Sequence, residues 1–227
     1  MRLLLVGYGK MGRCVETLAP EYGFDVVGRL DDTNNIGGAG IPSAPDADVA
    51  VDFSISSAVA ENLPKLAARR MSVVIGTTGW HEHEARLRQL AKDAGIGVVA
   101  AANFSLGVAL FQNLAEQAAR LFAPHAEYGA WIHEIHHAAK KDAPSGTALQ
   151  LQETLRNAGY QRSIDMASSR AGSVPGVHTI GFDGPFETIT MTHANRDRAA
   201  FAQGALHAAR WVHGRTGWFG IKDVLGT

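Results

Sequence analysis

Short apolar runs punctuate the first hundred positions, and stretches with helical spacing fall between them. Residues 2–6, 24–30, 47–53, 71–76 and 96–101 are apolar nearly throughout rather than alternating. That is the pattern of parallel strands covered on both faces. Residues 10–19 read as a helix stopped by Pro20, and 56–69 as a helix with Ala, Leu and Val on one face. Residues 81–94 read as a charged helix, and 32–40 as a loop rich in Gly and Asn. Strand–helix alternation at this spacing predicts a doubly wound, Rossmann-like α/β domain.

The rhythm changes after Ser105. Residues 108–122 have the spacing of a long amphipathic helix, 128–135 read as a strand, 136–144 as a loop and 145–157 as a further helix. Two segments of strand character, 177–182 and 187–193, flank the turn Asp183-Gly184-Pro185. A helix over 198–213 and a Gly-rich tail follow; no strand is predicted between 157 and 177. This half predicts an α+β domain with an antiparallel or mixed sheet. The expected division is residues 1–104, completed by 198–227, against residues 105–197, with hinges near Ser105 and Arg196.

Composition narrows the classes. The 227 residues are 46% hydrophobic and 19% charged, which excludes a disordered chain. A net charge of -1 gives no cationic field for nucleic acid or an acidic membrane surface, so positive partners for an anionic ligand must be concentrated locally. The single cysteine, Cys14, excludes an intramolecular disulfide and two-cysteine metal or redox motifs. It falls within the first predicted helix and is expected to be a plain buried thiol. No apolar run approaches the roughly 18 residues of a membrane span. The opening MRLLLVGYGKMG is too briefly apolar for a signal peptide, and a cytoplasmic location is expected.

Gly7-Tyr8-Gly9-Lys10-Met11-Gly12 lies between the first strand and the first helix. In a GxGxxG at that place, one glycine permits the turn, the next admits a pyrophosphate, and the third allows close helix–strand packing. The helix N-terminus then offers N–H groups and partial positive charge to phosphates. Asp31 ends the second strand 19 positions after Gly12, close to the roughly 20-residue offset of a carboxylate that holds the adenine ribose. Dinucleotide binding is the expectation for this domain. Asp31 and Asp32 would repel a 2′-phosphate and favour NADH, whereas Lys10 could accommodate NADPH. Gly76-Thr77-Thr78-Gly79 and Ala101-Ala102-Asn103-Phe104 follow the fourth and fifth strands, where ligands of open α/β sheets bind.

The richest polar stretch is Glu134-Ile135-His136-His137-Ala138-Ala139-Lys140-Lys141-Asp142-Ala143-Pro144-Ser145-Gly146-Thr147-Ala148. A helix start carrying hydroxyls and exposed N–H groups suits an anion, Lys140 adds a full charge, and His136 can exchange a proton near neutrality. Together these describe a pocket for a carboxylated ligand beside an acid–base group. Solvent-exposed histidines and a simple N-cap at Ser145 would read alike in sequence. Adjacent strand residues point to opposite faces, so the two histidines are not expected to share a metal.

This stretch resembles the signature of the 4-hydroxy-tetrahydrodipicolinate reductases, E-x-H-H-x-x-K-x-D-A-P-S-G-T-A, at every defined position. The similarity extends through Gly76–Gly79, Asn103-Phe104-Ser105, Ser169–Gly172, His178–Phe182, His193–Arg196, Phe201–Ala205 and Asp223–Gly226. The resemblance implies a Rossmann-like domain that binds NADH or NADPH and an α+β domain for substrate binding and oligomerisation. It implies His136 as proton donor with Lys140 as catalytic partner, and His137, Ser145, Gly146 and Thr147 as contacts to a small dicarboxylate. Gly7, Tyr8, Gly9, Lys10, Met11, Gly12, Asp31, Gly76, Thr77, Thr78, Ala101, Ala102, Asn103 and Phe104 would bind the cofactor, with Arg198 as a further contact. It also implies a homotetramer built through the middle-domain sheets. Two features depart from longer members: the glycine loop is one residue short, and residues 157–177 are compact. Two rivals remain at this stage, another amino-acid-pathway dehydrogenase and a non-catalytic NAD sensor; neither is expected to carry the His-His-x-x-Lys…Ser-Gly-Thr segment.

Overall fold

The apolar runs of the first hundred residues form five parallel strands: β1 (Arg2–Val6), β2 (Asp25–Leu30), β3 (Val49–Asp52), β4 (Ser72–Ile75) and β5 (Gly97–Ala100). The helices between and after them are α1 (Lys10–Leu18), α2 (Ser56–Ala68), α3 (Glu84–Ala94) and α4 (Leu106–Phe122). The chain continues with β6 (Gly129–His136), α5 (Gly146–Asn157), β7 (Ile164–Arg170), β8 (Val177–Asp183) and β9 (Thr188–Ala194). It ends with α6 (Ala199–Val212), β10 (Gly217–Phe219) and α7 (Ile221–Leu225). This computed structural model describes residues 1–226. It separates into two units: Met1–Leu106 with residues 198–226, and Gly107–Asp197.

In the first unit the strand order is β10-β5-β4-β3-β1-β2, all parallel. Alternation along each strand sends neighbouring side chains to opposite faces, and both faces are buried. Leu4, Val6, Ala50, Val73 and Val98 pack on Leu63 and Leu66 of α2 and Leu87 of α3. Leu3, Leu5, Val51, Val74 and Val99 pack on Val15 of α1 and Ala205, Leu206 and Ala209 of α6. Each fully buried Val or Leu contributes roughly 1.5–3 kcal/mol, which explains why these strands read as unbroken apolar runs. The sixth strand, β10, lies in the tail that the sequence pattern leaves irregular. Gly-Trp-Phe is too short to show a period, and its pairing with β5 is a tertiary event.

α6 reaches the sheet through small residues. A Cβ built on Gly204 would stand 1.7 Å from the carbonyl oxygen of Phe104, so this helix position requires glycine by close approach.

The second unit holds a mixed sheet of order β7-β6-β8-β9, with β6 and β7 parallel and the other pairs antiparallel. Phe111, Ala115, Ile132, Leu151, Tyr160 and Phe182 form the core between one sheet face and helices α4 and α5. Parallel neighbours need a crossover, and α5 is the crossover from β6 to β7. β7 corrects the expectation that no strand occurs between 157 and 177. Its sequence, Ile-Asp-Met-Ala-Ser-Ser-Arg, is polar and poor in β-branched residues, as an edge strand with one open side allows.

Candidate active site

The residues expected to bind a dinucleotide all lie in the first unit, at the carboxyl ends of its parallel strands. Gly7–Gly12 joins β1 to α1, Asp31 follows β2, Gly76–Thr78 follow β4, and Ala101–Phe104 follow β5. The three loop glycines differ in what a side chain would meet. At Gly7 (φ +87°) a Cβ would strike the Phe53–Ser54 backbone at 2.4 Å, and at Gly12 it would strike the Gly7 carbonyl oxygen at 2.5 Å. At Gly9, the N-cap of α1, it would meet nothing within 4 Å. Two glycines therefore pack the turn, while the third leaves open space beside a helix N-terminus that has no acidic residue in its first turn. That is the cradle a pyrophosphate needs.

Asp31 is fixed by its own loop. The Thr33 hydroxyl and amide and the Asn34 amide donate to its Oδ1 at 2.6, 2.9 and 3.2 Å, and they hold its carboxyl below the usual range. Oδ2 is then the oxygen that can face a ribose. Asp52, 2% exposed at the end of β3, accepts from Ser54, Asn62 and Thr77 and ties the Gly76–Thr78 segment to α2. A cavity of about 280 Å³ opens at the ends of β4, β5 and β10, lined by Thr77, Thr78, Trp80, Ala101, Ala102 and Trp218 among others. These groups fit an extended dinucleotide.

The residues expected to carry the acid–base chemistry lie in the second unit. His136 is the last residue of β6, rather than part of the following loop, and is 9% exposed. Its Nδ1 faces Glu134 Oε2 in a short contact. Glu134 is 0% exposed, and Arg170 grips both its oxygens with N–O distances of 2.7 and 2.9 Å. The Ser145 amide donates to Glu134 Oε1 at 3.2 Å. Ser145 is the N-cap of α5, where its Oγ accepts from the Ala148 amide and pairs with His178 Nε2 at 3.0 Å. Gly146 has open space where a Cβ would sit, so the start of α5 can be approached by an anion. Lys140 turns to Asp142, 2.7 Å away. His137 and Thr147 are half-buried on either side of this loop.

Glu134, Arg170 and His178 are the members that sequence reasoning did not single out. Glu134 was within reach, since a residue two positions along a strand shares the face of His136. Arg170 and His178 were not, because only the register brings them there: Arg170 pairs with His136 on the β7 side, and His178 pairs with Glu134 on the β8 side. Glu134, His136 and His178 place three ligand atoms within 4.8 Å of one another. The two adjacent histidines do not share a ligand position, but this trio from two strands is one the expectation of no metal did not foresee. Both Glu134 oxygens are claimed by the Arg170 guanidinium, so a cation here would have to displace a full positive charge.

Burial works to raise the Glu134 carboxyl, but hydrogen bonds from Arg170, Ser168 and His136 outweigh it and hold it at about 2. Burial, reinforced by the neighbouring His136, pushes His178 down to about 4 from 6.5. Both shifts are depressions, so both stabilise the fold at neutral pH and lose that contribution on acidification. For His178 the loss runs from 6.5 down to about 4, and for Glu134 from 4.5 down to about 2. The slope is at most about 1.4 kcal/mol per pH unit for each proton taken up. Denaturant titrations between pH 7.5 and 4.5 should therefore show a shallower pH slope for His178→Gln than for wild type. Equal slopes would mean that His178 is not held neutral.

Two family models match the chain, and the second runs on through the residues that complete the first unit. The family described as "Dihydrodipicolinate reductase, N-terminus" matches residues 1–104, and "Dihydrodipicolinate reductase, C-terminus" matches 107–225. A 4-hydroxy-tetrahydrodipicolinate reductase of Christiangramia forsetii is 34% identical over 236 residues, covering 99% of this chain and 98% of that protein. One from Rhodopseudomonas palustris is 35% identical over 272 residues, covering 100% of this chain and 97% of that protein. The dipicolinate-bound dihydrodipicolinate reductase of Paenisporosarcina shares the fold, with a TM-score of 0.81 at 23% identity over 97% of each chain. With both halves matched and full-length relatives above 30% identity, the chain belongs to the dihydrodipicolinate (4-hydroxy-tetrahydrodipicolinate) reductase family.

Proposed function

We propose that this protein reduces 4-hydroxy-tetrahydrodipicolinate to tetrahydrodipicolinate with a nicotinamide cofactor, in lysine and diaminopimelate biosynthesis. The observation that carries the reading is the buried Glu134–His136 pair tied to the Ser145-Gly146 helix start within one unit. An anion cradle beside a proton donor is what a cyclic dicarboxylate acceptor requires. The substrate loses water from its hydroxyl-bearing carbon, gains a hydride there and gains a proton on the neighbouring carbon. The net reaction consumes one reduced cofactor and one proton and releases one water. When bound, the reduced nicotinamide supplies the hydride.

His136 donates the proton, and Lys140 balances a substrate carboxylate. Ser145, Gly146 and Thr147 present hydroxyl and amide donors to the carboxylates, and His137 contacts substrate at the mouth of the loop. Gly7–Gly12, Asp31, Gly76–Thr78 and Ala101–Phe104 bind the cofactor. NADH is the preferred form, because an ionised Asp31 at the ribose position repels a 2′-phosphate. The ligand is a small dicarboxylate, and net charge -1 offers nothing to nucleic acid. Among the described residues no helix is long and apolar enough to cross a membrane, and we assign the protein to the cytoplasm. We assign a homotetramer to the second unit's sheet, whose face bearing Trp131 and Thr190 lies opposite the helix-covered core.

The test supplies the condensation product of pyruvate and aspartate semialdehyde and follows NADH and NADPH absorbance separately. Turnover with either cofactor is expected, with the higher kcat/KM for NADH. Binding of NADH without any turnover would refute the reductase assignment, and better use of NADPH would refute only the cofactor preference.

A further inference from the structure

The carboxylate behind His136 takes no part in the chemistry above, yet it contacts both His136 and the helix start at Ser145. Glu134 is 0% exposed, ionised at neutral pH, and its two oxygens meet His136, Ser145, Ser168 and both terminal nitrogens of Arg170. We propose that Glu134, clamped by Arg170, is the positioning residue of this site. It fixes the tautomer of His136 so that Nε2 is the atom that hands over the proton, and it ties that imidazole to the carboxylate-binding turn at Ser145. The inference rests on the reductase reading and deepens it.

Three features of the geometry support it. An ionised carboxylate only accepts hydrogen bonds, so the His136 Nδ1 facing it must carry hydrogen. The exchangeable position is then Nε2. The space beside Nε2 is kept by a residue without a side chain: a Cβ on Gly176 would stand 3.0 Å from that atom. Finally, the nearest alternative base is already engaged. His178 lies edge-on to His136 with ring centroids 5.1 Å apart, and its Nε2 is taken by Ser145 Oγ.

His178 also bears on Ser145. Its Nδ1 is buried and has no hydrogen-bond partner. An unpaired lone pair costs less there than an unpaired N–H, which puts the His178 hydrogen on Nε2, donating to Ser145 Oγ. The Ser145 oxygen then accepts from His178 and from the Ala148 amide, and its own hydrogen is released toward a ligand. Glu134 holds the same residue through its amide. One buried carboxylate therefore sets the donor direction of the acid and the placement of the anion cradle.

The charged and titratable groups around His136 are Glu134 on its own strand, Arg170 on β7, His178 on β8, His193 on β9, and Lys140 and Asp142 in the loop. Among these, Glu134 is the one carboxylate in contact with the imidazole.

The test uses the full chain with 15N-labelled histidine. The His136 imidazole is identified by its loss in His136→Gln, and its nitrogens are read in the neutral form. The expected wild-type spectrum has a protonated Nδ1 and a bare Nε2. In Glu134→Gln, Arg170 claims the amide oxygen and the amide nitrogen faces His136, so the tautomer should invert. With it kcat should fall about 100-fold while substrate KM changes less than about threefold. Glu134→Asp should keep the wild-type tautomer and recover part of the rate. A wild-type spectrum with hydrogen on Nε2 instead would overturn the proposal, whatever the activity. So would a Glu134→Gln enzyme whose loss lies wholly in KM, which would reduce Glu134 to a support for the Ser145 turn. The tautomer is read without turnover, so failure of the reductase assignment would appear separately, in the wild-type assay.

Discussion

His136→Gln is expected to lower kcat by about two to four powers of ten, with NADH affinity nearly unchanged. Glutamine keeps a polar side chain of similar reach but cannot release a proton near neutral pH. The hydride acceptor would still be bound between the same donors, yet the carbon beside it would have to take its proton from water. The residues proposed to hold the cofactor lie in the other unit, so Kd for NADH by fluorescence titration should stay within about twofold, because the substitution touches no cofactor loop. Near-normal turnover would remove His136 as the donor. A large loss of NADH affinity would show that the substitution had disturbed more than proton delivery.

The second large effect concerns a residue with no chemistry at all. Glycine within a helix usually gains up to about 1 kcal/mol of stability on conversion to alanine, by propensity alone. Gly204→Ala should do the reverse. The new Cβ would stand 1.7 Å from the Phe104 carbonyl oxygen and 2.8 Å from its carbon, and both are backbone atoms that cannot rotate away. Either α6 lifts from the sheet or the Ala101–Phe104 segment yields. Overpacking of this kind costs about 1–3 kcal/mol, a fall in Tm of several degrees for a chain of this size. Phe104 also packs edge-on against Phe53, whose ring lies over Gly76, so displacement should reach two of the cofactor segments. Calorimetry and NADH titration of the variant check both parts. A variant as stable as wild type, binding NADH equally well, would mean that the helix and the loop are not in the contact described.

Much of the first unit could be read from the chain because its signals are local. Each of its first five strands is a short run of apolar residues, and both sheet faces need them. The glycine loop and Asp31 sit at fixed offsets from those strands. The segment from Glu134 to Thr147 is equally local, since a strand, a loop and a helix start follow one another directly. His136 lies one residue beyond the predicted strand end because β6 continues its alternation onto the buried face.

The remainder depends on pairing. β7 carries too little β character to be recognised alone, and β10 is three residues in a glycine-rich tail; each is a strand only because a partner supplies the other half of its hydrogen bonds. Arg170 and His178 stand 36 and 44 residues from Glu134 in sequence and reach it through the registers of β7 and β8. Periodicity and motif spacing carry information along a chain, and they determined the fold class, the glycine loop and the acid–base segment. Which buried charge neutralises Glu134, which nitrogen of His136 is exposed, and why residue 204 must lack a side chain are questions of contact between distant segments. Only the packed structure decides these, because the energy of a buried charge or a close approach depends on what stands within a few ångströms, not on what is adjacent in sequence.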